Sequence, residues 1–302
     1  MSLFLKIIGI ILVIYLIIVF YVYSKQRSLL YVPNIDNYDD ETLIIDVNEV
    51  FIENSDGNKL RSVFYESPKT TKNTLLMFHG NAGPIENRFY KLNKLSKYNQ
   101  NILLISWRSY SGNEGSPNEQ GLYDDAKSAI KWLQDRGYEN EDIIIYGESL
   151  GTAVSIEMTQ NKAFKGLILE APFTSMVDAA KFHYPYLPVS WMLKDRYMSK
   201  DKIKNINAPL LIMHAKGDSI VPFWMGEKMY ELANEPKMNY LNIIKIFFLY
   251  LGVLIAVTKE VLPNRDSMMM QRALSSGFKI KGMEMKISLY MASLWEPLFQ
   301  LK

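Results

Sequence analysis

The pentapeptide Gly147-Glu148-Ser149-Leu150-Gly151 fits the pattern G-x-S-x-G. Three fixed positions arise readily by chance, so the surroundings decide its weight. A short apolar strand, Ile143 to Tyr146, leads in, and Thr152-Ala153-Val154-Ser155-Ile156 leads out as a helix. A strand that turns sharply into a helix needs small residues on both flanks of the turn. Ser149 would then stand above the sheet edge at a helix N-terminus, where a nucleophile attacks an acyl carbon. The plainer alternative is a glycine-rich turn without catalysis.

Two further blocks fall where such chemistry needs them. His79-Gly80-Asn81-Ala82-Gly83 follows the first buried strand. A loop there supplies one backbone N–H to a developing oxyanion, and the residue after the nucleophile supplies the other. That assigns the oxyanion hole to main-chain amides of Leu150 and of Asn81 or Ala82, with His79 bracing the loop. His214-Ala215-Lys216-Gly217-Asp218-Ser219-Ile220-Val221-Pro222 follows the last clear strand. A carboxylate at that strand end orients a catalytic histidine, and the order Ser149 then Asp218 agrees with the chain order Ser, Asp, His. The competing reading is a turn aspartate that satisfies nearby backbone amides.

These residues need a rigid frame. Val47 to Asn54 and Lys59 to Glu66 flank the turn Ser55-Asp56-Gly57-Asn58, which predicts a hairpin. Apolar runs at Thr74–Phe78, Asn101–Trp107, Asp142–Tyr146, Gly166–Leu169 and Leu210–Met213 read as strands buried on both faces. Tyr123 to Arg136 carries Ala126, Ala129, Ile130 and Leu133 at helical spacing. The pattern predicts an α/β protein with an open, mostly parallel sheet flanked by helices. Residues 174–207 interrupt the alternation and suit a short cap.

Both ends differ from this middle. Ile7 to Tyr23 holds seventeen residues without a charge, long enough to cross a bilayer. It ends in Tyr21-Val22-Tyr23 and not in the small residues of a signal-peptide cleavage site. An uncleaved, single-pass N-terminal membrane anchor is therefore expected. Lys6 on one side and Lys25 and Arg27 on the other leave its orientation open. After about Pro236 the composition shifts: Met238 to Lys302 holds seven of the sixteen methionines and eight basic residues against four acidic ones. Leu241 to Val257 is a second apolar run, read as a further span or as a strand and helix packed on the sheet.

Composition excludes several classes. The 302 residues carry 34 basic and 32 acidic side chains, so the net charge of +2 gives no reason to expect nucleic acid. Without cysteine there is no disulfide, thiolate metal site or cysteine nucleophile. The three histidines are too scattered for a metal site, and Gly112 to Gly115 is too short for a phosphate loop. Met268-Met269-Met270 has no partners for copper. No cofactor is expected.

Taken together, the blocks resemble the membrane-anchored α/β-hydrolases related to the fungal bud-emergence protein and the protein depalmitoylases. The likeness runs from the apolar segment through Gln26-Arg27-Ser28-Leu29-Leu30-Tyr31-Val32-Pro33 to about Lys237. It includes His79-Gly80-Asn81, Gly112 to Asp125, Gly147 to Gly151, Glu170-Ala171-Pro172-Phe173-Thr174-Ser175, and Asp218 to Pro222. It implies an anchor over residues 1–25 and an α/β-hydrolase domain over 40–237, with 238–302 as a divergent C-terminal segment. It also implies a hydrolase of ester, thioester or amide bonds in a small acyl or acylated-protein substrate, with Ser149 as nucleophile and Asp218 as acid. Arg108 is followed by Ser109 where the family usually has glycine.

A larger departure concerns the base. The family's catalytic histidine follows the acid, yet this chain has only His79, His183 and His214, all before Asp218. Residues 243–253 hold an apolar run in its place. Three explanations stand. His183 in the cap, or His214 at the strand end, substitutes as base. Alternatively the chain is a non-catalytic, membrane-tethered binding protein on the same fold. The third is a change of reading frame near Lys237, where the likeness ends and the composition shifts.

Overall fold

The computed structural model describes residues 3–33 and 43–240. Helix α1 covers Leu3–Leu30. Most of its apolar side chains are exposed, and among the described residues it is the one helix long and apolar enough to cross a membrane. The strands β1 (Asn48–Glu53), β2 (Lys59–Tyr65) and β3 (Thr74–Phe78) follow, then helix α2 (Phe89–Leu95) and strand β4 (Asn101–Ile105). Helix α3 (Glu119–Gln134) leads to β5 (Ile143–Glu148), helix α4 (Leu150–Thr159) and β6 (Gly166–Glu170). Three short helices come next: α5 (Met176–His183), α6 (Val189–Met192) and α7 (Ser199–Lys202). Strand β7 (Leu210–Met213), helix α8 (Phe223–Leu232) and β8 (Lys237–Tyr240) complete the described chain.

The eight strands form one sheet in the order β1-β2-β4-β3-β5-β6-β7-β8. β2 is antiparallel to both of its neighbours, and all pairs from β4 to β8 are parallel. Every residue of β3 and β4 is buried, because helices cover both faces of a parallel sheet. Side chains alternate between those faces. Leu76, Phe78, Ile143 and Ile145 meet α3 and α4 on one face. Leu75, Met77, Ile144 and Tyr146 share the other with Leu92 and Leu95 of α2.

The structure shifts several sequence-derived boundaries for local reasons. The strand predicted to reach Trp107 ends at Ile105, since the Trp107 amide turns to donate to His79 Nε2 at 3.3 Å. The helix predicted from Tyr123 starts earlier, at Glu119, because the Asn118 side chain caps it by accepting from the Gly121 amide at 3.0 Å. The sheet continues past residue 237 through Tyr240, with Leu210 opposite Lys237 and Met213 opposite Tyr240. The apolar run Leu241 to Val257 and the methionine run lie outside the described residues.

Candidate active site

β5 carries the chain into an abrupt turn at Ser149, which adopts φ 49° and ψ −112°. A non-glycine residue there is strained by about 1–3 kcal/mol and persists only where its surroundings hold it. They do so through the main chain. The Ser149 amide donates to the Glu170 carbonyl at 2.8 Å, and its carbonyl accepts from the Thr152 amide and hydroxyl at 2.9 and 2.6 Å. The flanking glycines are steric necessities. A Cβ on Gly147 would lie 2.6 Å from the Gly151 carbonyl oxygen, and one on Gly151 would overlap the Phe78 carbonyl. The pattern read from sequence is thus a true elbow, with the half-buried Ser149 at the start of α4.

The loop after β3 closes over this elbow. A Cβ on Gly80 would stand 3.5 Å from Ser149 Cβ, so backbone at 80–81 passes directly beside the serine. The Asn81 carbonyl is drawn away from it, accepting from the Val32 amide at 3.1 Å and the Tyr110 hydroxyl at 2.9 Å. The Asn81 side chain donates to the Leu30 carbonyl at 2.8 Å. The Gly83 amide donates to the Val32 carbonyl at 3.2 Å, completing a bridge between this loop and the segment just after α1. The amides of Asn81 and Leu150 donate to no acceptor among the described residues.

The three histidines have different employments. His79 is buried, its Nδ1 donating to the Gly80 carbonyl at 2.7 Å while Nε2 accepts from the Trp107 amide. Both ring nitrogens are used by the neutral form. Burial, with help from Arg88, lowers its pKa to about 3. His214 is buried beside the loop after β7, with Nε2 2.9 Å from the Val221 carbonyl and 3.7 Å from Asp218 Oδ2. Burial lowers its pKa too. His183, at the end of α5, is exposed, and its Nε2 lies 2.8 Å from the Ile220 carbonyl in the loop after β7. The Ser149 hydroxyl meets no histidine by hydrogen bond among the described residues.

Asp218 follows β7. Its Oδ1 accepts from the amides of Ile220 and Val221, each at 2.9 Å, which fixes the carboxylate within its own turn. Oδ2 makes only the longer approach to His214. The geometry therefore suits both a turn aspartate and an acid awaiting a partner. Among the described residues no group of three or more His, Asp or Glu is arranged to hold a metal ion.

One part of the site was not anticipated. Beneath the elbow lies an ionic cluster in which Glu148 accepts from Arg88 at 3.0 Å and from Lys91 at 2.6 Å. Lys91 also reaches Glu170 at 2.5 Å, and the Tyr146 hydroxyl closes the group by bonding to Glu170. Burial disfavours both charges, but Arg88 and Lys91 outweigh it and hold the Glu148 pKa well below its ordinary value. The two carboxylates likewise hold the Lys91 pKa well above its own. Glu148 and Glu170 bracket Ser149 through its own chain and through the Ser149–Glu170 backbone bond, so the cluster stiffens the turn. No local signal marks it, because α2 carries Lys91, Asn93 and Lys94 among its seven residues and only the fold decides which of them is buried.

The chain is similar to several known proteins. Residues 115–245, which contain both Ser149 and Asp218, match the Prolyl oligopeptidase family. Uncharacterized protein Rv2307c of Mycobacterium tuberculosis is 33% identical over 227 residues, covering 73% of this chain and 79% of that protein. Lysophosphatidylserine lipase ABHD12 of Danio rerio is 32% identical over 194 residues, 58% of this chain and 50% of its own length. The α/β-hydrolase from Vibrio vulnificus superposes with a TM-score of 0.57 at 21% identity, over 66% of this chain and 74% of that one. That last likeness concerns fold, whereas the mycobacterial match extends across most of both chains. The chain has the α/β-hydrolase fold and belongs to one family with this mycobacterial protein.

Proposed function

We propose that the chain is a membrane-anchored serine hydrolase acting on an acyl ester, with α1 as its anchor. The observation that carries this reading is the strained Ser149 elbow beside the Gly80–Asn81 backbone, with the Asn81 and Leu150 amides donating to no acceptor among the described residues. Ser149 Oγ attacks the ester carbonyl, and the amides of Leu150 and Asn81 receive the oxyanion, a contribution of about 3–4 kcal/mol per donor in related sites. The ester C–O bond breaks, the alcohol leaves with a proton, and water then releases the acid from the acyl-serine. The serine proton needs a base. His79 and His214 are buried with their nitrogens committed or enclosed, which leaves His183, beside the Asp218 loop, as the base of this reading. Asp218 holds the acid's place. The name of the ABHD12 relative favours a lipid ester. The motif set from Gln26 to Pro222 favours the bud-emergence and depalmitoylase branch, and with it thioesters as further substrates.

A second reading is a silent, membrane-tethered binder of acyl groups. It draws on the Ser149 hydroxyl's lack of a hydrogen-bonded base. The pairing of β8 with β7 supports placing any change of reading frame after Tyr240.

The two readings separate on p-nitrophenyl butyrate turnover by the full chain in detergent. The hydrolase reading expects turnover that Ser149→Ala abolishes and His183→Gln lowers at least 100-fold, the lower end of general-base contributions. Turnover unchanged in Ser149→Ala contradicts it. Turnover unchanged in His183→Gln removes His183 while leaving Ser149 in place.

A further inference from the structure

α1 does not stand clear of the domain. Its charge-free stretch runs between Lys6 and Lys25, about 28 Å at 1.5 Å per residue, close to the thickness of a hydrocarbon core. Tyr15 lies near the middle of that stretch, yet its hydroxyl donates to the Tyr186 carbonyl at 2.9 Å. Four residues on, Val19 packs in one cluster with Leu187, Val189 and Met192, with Val22 beside them. At the far end the contacts turn polar. Lys194 Nζ sits 4.6 Å from the Tyr23 ring, Gln26 bonds to the Met192 carbonyl and the Lys194 amide, and Arg27 pairs with Asp195 at 2.9 Å. Helix and cap thus match in polarity at each level. Apolar residues 186–192 face helix positions 15–22, and charged residues 194–195 face positions 23–27.

The cap also turns a large apolar surface outward at the apolar level. Phe182, Tyr184, Tyr186 and Trp191 are all exposed, with Trp191 at 71%. Phe182, His183, Tyr184 and Tyr186 form a continuous chain of ring contacts 5.1–6.4 Å apart. Ile220 of the loop after β7, 75% exposed, joins them through its bond to His183. A contiguous exposed patch of this kind marks an interaction surface. Aromatic rings with polar tips are the residues that settle at a bilayer interface.

We propose that the cap from Phe182 to Trp191 is embedded in the same lipid leaflet as the anchor, with acyl chains covering its aromatic face. This rests on the reading of α1 as a membrane helix. If α1 spans from Lys6 to Lys25, Tyr15 lies about 15 Å from the Lys25 end, and the Tyr186 backbone bonded to it cannot stay in water. The Tyr15–Tyr186 bond satisfies both polar groups where water is absent. Lys181, exposed next to Phe182 in the chain, has a stem long enough to carry its charge toward headgroups. An acyl ester would then reach the Asp218 side of the site from the membrane and not from the aqueous phase.

The absence of native cysteine makes the test direct. Single variants Phe182→Cys, Trp191→Cys, Ile11→Cys and Lys131→Cys are made in the full chain, nitroxide-labelled, and reconstituted in phosphatidylcholine vesicles. Collision with oxygen is compared with collision with a water-soluble nickel chelate. Labels at 182 and 191 are expected to resemble that at 11, with oxygen-to-nickel ratios several-fold above that at exposed Lys131. Cap labels as nickel-accessible as position 131, with position 11 still in lipid, overturn the embedded cap and leave the anchor standing. Position 11 in water overturns both. All four positions are exposed, so a melting transition matching the unsubstituted chain confirms that each variant is folded.

Discussion

At the scale of single residues, His79 ties the site's geometry to pH. Its folded pKa, lowered to about 3 by burial, lies below the ordinary histidine value. The unfolded chain therefore binds the extra proton first. Stability from this group is complete above about pH 6.5 and is lost as pH falls toward the folded pKa, at about 1.4 kcal/mol per unit. His214 is shifted in the same direction and adds to the loss. Urea midpoints measured from pH 8 to pH 4 should fall with acidification, and His79→Gln should flatten the slope. An unchanged slope in that variant would place the protonated group elsewhere. Residue identities here were only partly legible. Ser149 and Asp218 stood out because their neighbours are small and ordered along the chain as a hydrolase requires. Arg88, Lys91 and Glu170 did not, because a buried charge cluster is assembled from three distant segments with no local pattern.

At the scale of elements, the elbow and the Arg108 loop show opposite uses of small residues. Gly151→Ala drives a methyl into the Phe78 carbonyl of β3, and both partners are backbone. We expect a loss of about 3 kcal/mol or more, read as a lowered urea midpoint. Near-normal stability would mean that α4 can move off β3. Ser109 and Ser111, at φ 72° and 51°, occupy the left-handed region without being glycine. Ser109→Gly relieves that strain at the position where the related family has glycine, and should raise stability by up to about 1 kcal/mol after the entropy of the unfolded chain is counted. A lowered melting temperature would refute this. Element types were readable because runs buried on both faces and helices buried on one have different periods. Element ends were not, since Asn118 capping α3 and Trp107 turning to His79 are decided by partners one cannot see in a periodicity.

At the scale of the whole molecule, helix α1 and the Ser149 edge of the sheet are one structure. Tyr31 bonds to Tyr197 at 2.8 Å, Arg27 to Asp195, and Val32 bridges to the loop at Asn81 and Gly83 beside Ser149. The conspicuous block Gln26 to Pro33 thereby gains a physical reason: it fastens α1, the segment around Asp195 and Tyr197, and the loop at residues 80–83 together. Sequence alone could identify this block by likeness but not by mechanism, because its partners lie some 50 to 170 positions away. The proposed activity depends on the activation of Ser149. The most direct measurement is fluorophosphonate labelling of the full chain, followed by mass-spectrometric identification of the labelled residue. We expect a single adduct on Ser149, absent in Ser149→Ala and slowed in His183→Gln. A folded chain that takes no label, or takes it on another serine, would contradict a catalytic Ser149.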